Sequence, residues 1–537
     1  MASAGDTATN KGRMGRTKGK ILLREDIYDL QLAYDDEEPN VSRKLAMQKL
    51  LWAFHLLQHS DPSERDSFFQ IAGYHGMPFR GAGWGNPAWW GGYCNHGNVL
   101  FPTWHRAYLV RLENALRNVS GYDDITLPYW NETGKESLEN GIPKIFLHER
   151  VDIPKKGYVT KRYPYSGLES GDNAGATKQH NMFVAALKNT DEMLNNNVID
   201  WLTRSIVLPD NKILTPNVCH KYYRCLDAPT YTAFSNTTSA SHYNDNVYYN
   251  TPGNPIKIQA LKDPIAVSLE SPHNDIHLAV GGFDIPGQGN FDRIIGANGD
   301  MGENDTAAFD PIFYFHHCFI DKVFWEWQRR HGARNELKID AGWPGTNSVD
   351  YQGPTPGVTG GTWLTMESPL APFTFDDTES GRALTSNDVV NIEEQLGYWY
   401  SDEKDLGSEP EGVGDGDTGD ADGGHGDAPV VNVVRVTGLN RAALPGSFML
   451  VVRANVEGQE EIVGTESVLS RWHVSGCANC QKHLEVKAYV RLKGVEKEDL
   501  RTVRVGLHAR GKTVDDINND HGVGGSWGLG RMKMSEV

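Results

Sequence analysis

The sequence predicts a mainly α domain with long loops, followed by a small antiparallel β-sandwich or barrel. The first observation is a helical spacing of apolar residues that recurs between residues 21 and 400. The second is a strict alternation of apolar and polar residues after Pro429. Between them the composition changes abruptly at Ser401, which marks a boundary. A chain of 537 residues also exceeds one ordinary core, so two domains are expected.

The larger predicted domain spans residues 21–400 and follows a polar, flexible amino terminus at residues 1–20. Loops rich in Gly, Pro and Asn separate its helices, and such loops often carry binding surfaces. The segments with clear helical periodicity are Lys44–His59, Phe68–His75, Trp104–Val119, His273–Val280 and Asp310–Arg330.

An acidic, glycine-rich linker is predicted at residues 401–429. From Asp402 to Asp427 there are ten Asp or Glu residues and one Lys, a composition that favours a solvated chain. The run Asp415–Asp422 is similar to a calcium loop. It lacks the acid or amide at the fifth place and the Gly at the sixth that an EF-hand needs, so a plain linker is preferred.

The carboxy-terminal domain, residues 430–537, has the pattern of antiparallel strands. Every second residue of His483–Leu492 is apolar, which predicts one buried and one exposed face. Several short strands in about 100 residues are typical of a small sandwich or barrel. The other strand candidates are Val430–Leu439, Phe448–Val456 and Leu500–Leu507.

The composition excludes several classes of protein. A formal net charge of −18 argues against a nucleic-acid partner, and the lack of any run of 18 apolar residues argues against a membrane span. Met1–Lys20 is polar and basic without an apolar stretch, so we do not expect it to be a secretory signal. The protein is then cytoplasmic as written, or secreted if a signal was removed, and a homo-oligomer is left open.

Histidines occur in two clusters that suit metal binding. In the first, His75 ends a predicted helix, His96 lies in a Gly/Trp-rich loop and His105 opens the next helix. In the second, His273 and His277 are four residues apart, so both imidazoles project from one helix face. The segment from residue 310 to 317 then offers a further ligand from the next helix.

Imidazole suits copper in both of its oxidation states. Neutral ligands leave the metal charge uncompensated, and two metals ~3.5–4 Å apart can clamp both oxygens of one small molecule. A lone HxxxH is a weak signal, and Asn274 stands where a zinc protease would have Glu. His55 and His59 are also four apart, but with no third ligand candidate nearby we interpret them as structural.

Two longer motifs carry a resemblance to a known family. Phe-Pro-Thr-Trp-His-Arg-Ala-Tyr at 101–108 and Asp-Pro-Ile-Phe-Tyr-Phe-His-His-Cys-Phe-Ile-Asp at 310–321 resemble the two signatures of the type 3 copper proteins, which are tyrosinases, catechol oxidases and molluscan haemocyanins. The resemblance covers about residues 20–400 and implies a four-helix bundle that holds two copper ions and binds O2. It implies His75, His96 and His105 as ligands of the first copper and His273, His277 and His317 as ligands of the second.

The second motif contains adjacent histidines, whose side chains point about 100° apart on a helix. We expect only one to face the metals, and the family pattern makes it His317 and leaves His316 beside the site. Cys94-Asn-His96 resembles the CxH of members that join cysteine to the ligand histidine by a thioether, with a free buried cysteine as the alternative. Cys318 is interpreted as an ordinary helix residue.

Tyr398-Trp-Tyr400 resembles the tyrosine motif that closes the catalytic domain of this family. There, an arginine near the amino terminus, matched here by Arg24, packs on a tyrosine as a cation–π pair. This implies that the two ends of the domain are joined, which agrees with the change of composition at Ser401.

The resemblance implies small phenols and O2 as substrates. Tyrosinases hydroxylate monophenols and oxidise o-diphenols to o-quinones, catechol oxidases perform only the second step, and haemocyanins only carry O2. Asn274 matches a position linked with monophenol hydroxylation, and Glu270 is its candidate partner for a water that accepts the phenol proton. The alternative for Glu270 is a helix-start carboxylate that favours the helix dipole. These features favour a tyrosinase over a catechol oxidase, and the single globular unit argues against a carrier.

The carboxy-terminal domain loosely resembles the β-rich shielding domains of haemocyanins and plant polyphenol oxidases. It is expected to cover the copper site and make the enzyme latent, with the linker as the place for a protease cut. Cys477-Ala-Asn-Cys480 is expected to pass copper to the site, to form a small disulfide or to remain as two thiols. Cys219 and Cys225 are close enough in sequence to bridge.

Overall fold

The computed structural model describes most of the helical half and the strands of the carboxy-terminal half. The predicted amino terminus, the linker after Ser401 and the pair Cys477 and Cys480 lie outside the described residues. Apart from short pieces, the described ranges are 21–76, 92–147, 190–203, 218–248, 256–261, 265–283, 299–348, 357–378, 381–401, 431–441, 446–470, 485–492 and 495–509.

Among the described residues, the α-helices lie between Ile27 and Arg330. They are α1 (Ile27–Tyr34), α2 (Val41–His59), α3 (Phe68–His75), α4 (Phe101–Ser120), α5 (Lys135–Asn140), α6 (Thr190–Thr203), α7 (Val218–Cys225), α8 (Tyr231–Ser235), α9 (Thr237–Tyr248), α10 (Glu270–Gly281) and α11 (Ile312–Arg330). Among the described residues, no helix is both long and apolar enough to cross a membrane.

The five helices predicted from periodicity are confirmed, each with ends within three residues of the prediction. Local capping explains where they begin and end. The side chain of Ser67 accepts from Gln70 N at 3.2 Å and starts α3. Gly121 ends α4 and Gly282 ends α10, both with positive φ, a conformation that glycine adopts without strain.

The strands form small sheets. They are β1 (Leu22–Arg24), β2 (Ile206–Val207), β3 (Ile213–Leu214), β4 (Ile256–Leu261), β5 (Pro369–Thr374), β6 (Ala383–Thr385), β7 (Tyr398–Tyr400), β8 (Val431–Asn440), β9 (Phe448–Val456), β10 (Gln459–Val468), β11 (Glu485–Arg491) and β12 (Arg504–Ala509). The carboxy-terminal strands make two antiparallel three-stranded sheets, with orders β10-β9-β12 and β11-β8-β4.

One strand of the second sheet comes from the helical half of the chain. Strand β4 pairs antiparallel with β8, with Ile256 opposite Val436 and Leu261 opposite Val431. This strand was not predicted. Its sequence alternates weakly, but its partner lies about 175 residues further along, so no local pattern could indicate the pairing.

Helices α4 and α11 form the centre of the helical half. In α11 every residue from Ile312 to Gln328 is buried, and α4 is buried over most of its surface. A helix that is buried all round must lie inside a core, so these two helices form a rigid frame. The carboxy-terminal half has a second core of its own, which includes Val434, Leu450 and Val490.

Strands β1 and β7 join the two ends of the helical half as a parallel pair, in which Arg24 lies opposite Tyr400. The guanidinium carbon of Arg24 lies 3.6 Å from the centroid of the Tyr398 ring and 5.8 Å from that of Tyr400. Arg24 also donates to Glu113 at 3.0 Å and to Asp321 at 3.2 Å. A buried charge needs such partners, so this network fixes both ends on α4 and α11.

Candidate metal centre

The first group of histidines comes from three different elements. His75 is the last residue of α3, His96 lies in the loop before α4, and His105 lies in the second turn of α4. The His75 and His96 ring centroids are 5.3 Å apart, and His105 lies 5.6 Å and 5.0 Å from them. All three side chains are buried, so the structure brings this predicted set together.

Backbone carbonyls orient two of these rings. His75 Nδ1 lies 3.1 Å from the carbonyl oxygen of Asn304, and His105 Nδ1 lies 2.8 Å from that of Phe101. A carbonyl oxygen can only accept, so each Nδ1 carries the proton. The Nε2 lone pair is then left for a metal, as is usual for ligand histidines.

The loop that carries His96 is held by hydrogen bonds on both sides of the histidine. Gly97 N, directly after it, donates to Glu270 Oε1 at 2.7 Å, and Val99 N donates to Gly345 O at 2.8 Å. The side chain of Asn95, directly before it, donates to Tyr93 O at 3.2 Å. The loop therefore depends on residues far away in the sequence for its shape.

The second group comes from two adjacent helices, α10 and α11. One ring nitrogen of each of His273, His277, His316 and His317 lies within 4.8 Å of those of the other three. His277 Nε2 and His317 Nε2 are 3.5 Å apart. Imidazole nitrogens bind a first-row ion at ~2.0–2.1 Å, which puts two ligands of one ion about 3.4 Å apart, so this pair fits a single ion.

The two adjacent histidines both lie near the ring nitrogens of α10, but they have different neighbours. Both rings reach the histidines of α10, although they leave α11 about 100° apart. The His316 ring lies 5.3 Å from that of His273, and its Nδ1 is 2.5 Å from Glu132 Oε1. His317 instead stacks on His105 at 4.4 Å, with 10° between the planes, and so faces the first group.

Glu132 was missed by sequence reasoning. It is fully buried, and its second oxygen accepts a hydrogen bond from the hydroxyl of Tyr222. Burial raises the pKa of this carboxyl well above its usual range. An acid that is buried only by tertiary contacts leaves no periodic pattern, so nothing in the sequence marked it.

The two groups form one centre. His96 and His273 lie 5.4 Å apart by ring centroids, and His105 joins His317 as above. Burial lowers the pKa of His105 to about 3 and that of His273 well below its usual value, with further lowering by neighbouring histidines. The rings of His105 and His273 are therefore neutral near pH 7, and their buried Nε2 atoms have no hydrogen-bond partner among the described residues. This neutral nitrogen set fits copper.

Cys94 lies beside the first group. Its sulfur and one ring nitrogen each of His75 and His96 lie within 4.8 Å of one another. Cys219 and Cys225 are both buried and free, so the bridge that their spacing allowed is not formed. His55 and His59 lie together on α2, with rings 4.2 Å apart, and His59 is exposed.

Glu270 and Asn274 both lie on α10 beside the histidines. Glu270 is buried, and besides Gly97 it accepts from Thr237 N at 2.9 Å and from Thr237 Oγ1 at 3.1 Å. Burial raises the pKa of its carboxyl, and these hydrogen bonds partly oppose that. Asn274 Oδ1 lies 3.0 Å from His273 Nδ1, and its amide donates to Ser467 O at 3.4 Å. Ser467 is on β10, so the carboxy-terminal half contacts the centre.

Two facing groups of neutral histidines on a helical frame define the class: a dinuclear, type 3 copper protein. A family model described as the common central domain of tyrosinase matches residues 65–330. A tyrosinase of Aspergillus oryzae is 43% identical over 87% of this chain and 91% of its own length. A tyrosinase of a Hahella species is 40% identical over 88% of both chains.

Solved structures agree. A tyrosinase from Burkholderia thailandensis is 38% identical, with a TM-score of 0.72, over 91% of this chain and 94% of that one. A pro-tyrosinase of Aspergillus oryzae, at 17% identity over 94% of this chain and 93% of that one, shares the fold with a TM-score of 0.60. The chain belongs to the tyrosinase family and is a copper-dependent oxidoreductase whose substrates are a phenol and O2.

Proposed function

We propose that the chain uses O2 to hydroxylate monophenols and to oxidise o-diphenols to o-quinones, and that its carboxy-terminal domain keeps it latent. The observation that carries the proposal is the pair of facing, neutral histidine groups. His75, His96 and His105 would hold one copper ion, and His273, His277 and His317 the other. Copper, when bound, supplies the O2 binding and the electron transfer.

The ligand roles have support in how each ring is oriented. The Nδ1 atoms of His75, His105 and His277 face carbonyl oxygens, and this leaves each Nε2 free of a proton. For His96 we propose a thioether to Cys94, whose sulfur lies within reach of the ring. Such a bond would fix the one ligand that lies on a loop.

Glu270 and Asn274 support hydroxylation rather than catechol oxidation alone. A carboxylate has about four acceptor sites, so Glu270 keeps one after its three hydrogen bonds. A water held there would accept the proton of an incoming phenol, which must lose it before hydroxylation. Asn274 holds the tautomer of His273 beside that position.

Latency is supported by contacts of β10 with the helix that carries two of the ligands. Ser271 Oγ donates to Glu466 Oε1 at 3.0 Å, and the Asn274 amide donates to Ser467 O. Asn304 N, whose carbonyl orients His75, donates to Ser470 O at 3.2 Å. We propose residues 21–400 as the catalytic domain, 401–429 as the linker and 430–537 as the cover. The fold is shared with a protein described as a pro-tyrosinase.

The test is the product formed from a monophenol and from a catechol, each with and without residues 401–537. A tyrosinase gives o-quinone from both, a catechol oxidase only from the catechol, and an O2 carrier from neither. Limited proteolysis between residues 401 and 430, followed by removal of residues 430–537 from the cut chain, is expected to raise the rate. An unchanged rate after removal of the cover would contradict latency. Three further expectations stay predictions: the role of Cys477 and Cys480, the formation of a homo-oligomer, and the lack of a nucleic-acid partner.

A further inference from the structure

Strand pairing and polar bonds join the carboxy-terminal half to the helical half at two separate places. The first, which we call the strand dock, consists of β4 paired with β8, together with Asp245 on α9 and the residues that bind it. The pairing runs over six positions, from Ile256 opposite Val436 to Leu261 opposite Val431. The backbone of the helical half thus supplies the third strand of a carboxy-terminal sheet.

Asp245 is the polar part of the strand dock. Arg435 on β8 donates to both of its oxygens, at 2.5 Å and 3.1 Å, and Lys487 on β11 donates at 2.8 Å. The Tyr489 hydroxyl donates to Asp245 as well. These partners hold the pKa of Asp245 at about 2, against the opposing effect of partial burial. Bidentate, charge-assisted bonds of this kind are the stronger class of hydrogen bond.

The second place, which we call the site-side contact, lies over α10. Lys221 on α7 contacts Glu466 at 3.2 Å and Asp275 at 2.7 Å, and Ser271 donates to the same glutamate. The backbone carbonyls of Ser467 and Ser470, which accept from Asn274 and Asn304, complete the contact. Here β10 adds no strand to the helical half. The contact consists of side-chain and single backbone bonds together with apolar packing, since the core of the helical half also includes Met449, Val451, Ile462 and Leu469.

We infer that these two attachments are separable: the strand dock retains the carboxy-terminal domain, and the site-side contact closes the copper centre. The inference rests on the proposed latency. An intact linker keeps the two halves at an effective concentration of ~mM. Cleavage of the linker therefore separates the halves only if no other contact holds them together. The strand dock holds them through strand pairing, whose loss would leave β4 as an unpaired edge.

Cutting the linker alone yields a nicked chain that stays in one piece and stays closed. Opening the centre requires the site-side contact to break, and release of the domain requires the strand dock to break. Nicking, opening and release are therefore three distinct events.

The experiment uses the full, copper-loaded chain with a specific protease site placed in residues 402–430. Asp245→Ala and Arg435→Gln weaken the strand dock from its two sides, and Glu466→Gln weakens the site-side contact. Glu460→Gln, an exposed carboxylate on the same strand as Glu466, is the matched control. Gel filtration after cleavage measures retention, and catechol oxidation measures closure.

Cleaved wild-type protein and the Glu460→Gln control are expected to elute as one species at micromolar concentration, with the low rate of the uncut chain. Cleaved Asp245→Ala and Arg435→Gln proteins are expected to separate on dilution, with dissociation constants raised at least tenfold. Glu466→Gln is expected to elute as one species but to oxidise catechol several-fold faster. Circular dichroism of the uncut variants verifies folding.

Separation of the cleaved wild type at micromolar concentration would overturn the inference, as would unchanged retention in both strand-dock variants. A Glu466→Gln protein that is released rather than opened would show that the attachments are not separable. Failure of latency itself looks different. In that case the catechol rate is the same with and without residues 401–537, while gel filtration still reports on the strand dock.

Discussion

The two histidine groups of this molecule are built in opposite ways. In the second group the ligand candidates lie on two packed helices, and the four-residue spacing of His273 and His277 fixes them on one face. In the first group, His96 lies on a loop, and its position depends on Glu270 from the other group's helix. A helix fixes the positions of its own side chains, whereas a loop is held in place by contacts with residues distant in the sequence.

The largest expected effect comes from removing one ligand of either group. His277→Ala and His105→Ala should each lose one of the two copper ions, because a ligand-poor site binds weakly. A metal contributes several kcal/mol to such a reaction, so catechol oxidation should fall by ~10³-fold. Copper analysis and the rate check this, with the exposed His59→Ala as control. Retention of both ions in either variant would contradict the ligand assignment.

Glu270→Gln should have the next largest effect, and this variant tests the first histidine group against the second directly. The amide NH2 would place a donor against the N–H of either Gly97 or Thr237, and the loss of that hydrogen bond would loosen the His96 loop. Residues that orient a ligand are worth ~10–100-fold in metal affinity, and the loss should fall on the first copper. Chelator titration and mass spectrometry for the thioether of Cys94 and His96 measure it. Preferential loss of the second copper would refute the coupling.

Glu132→Gln is the matching change behind the second group and should have a smaller effect, at most about tenfold in retention of the second copper. Glu132 orients His316, which lies beside the assigned ligands His273 and His277 and is not one of them. The helix already fixes His316, and the Gln oxygen can still accept from its Nδ1. The measurement is the rate of copper loss to a chelator, compared with that of Glu270→Gln. If Glu132→Gln speeds copper loss from the second group as much as Glu270→Gln speeds it from the first, the contrast between helix-held and loop-held ligands is refuted.

Asn274→Ala should have the smallest effect of the four. It removes one hydrogen bond from His273 Nδ1, worth ~1 kcal/mol or about fivefold in rate, and leaves copper content unchanged. Hydroxylation of a monophenol should suffer more than oxidation of a catechol, since only the former needs the phenol proton removed. Equal loss for both substrates would argue that Asn274 acts only on the orientation of His273.

The sequence predicted most of the helical frame because α4 and α11 carry long periodic patterns and specific motifs. Of the predicted ligands, His105 and His317 lie within these motifs, and His273 and His277 share a helical spacing. His75 and His96 were assigned from the family resemblance. The pairing of β4 with β8 could not be predicted, because a six-residue strand has no local sign of a partner so far away. Glu132 and Glu466 were missed because tertiary packing alone brings them to α11 and α10.

Packing also decides details that local spacing leaves open. His316 and His317 both reach the histidines of α10, but His316 contacts Glu132 whereas His317 stacks on His105. The spacing of Cys219 and Cys225 permitted a bridge, but both sulfurs face carbonyl oxygens within the core. Local geometry sets what is allowed, and packing decides which option is used.

The parallel pair of β1 and β7 can form only late in the synthesis of this protein. Arg24 leaves the ribosome about 370 residues before Tyr398, which at ~5–20 residues per second is a delay of tens of seconds. During that time the amino-terminal strand has no partner. The copper-site histidines, the last of them His317, are likewise all synthesised before β8 and β10. For a short period in each molecule's synthesis, the metal centre exists without its cover.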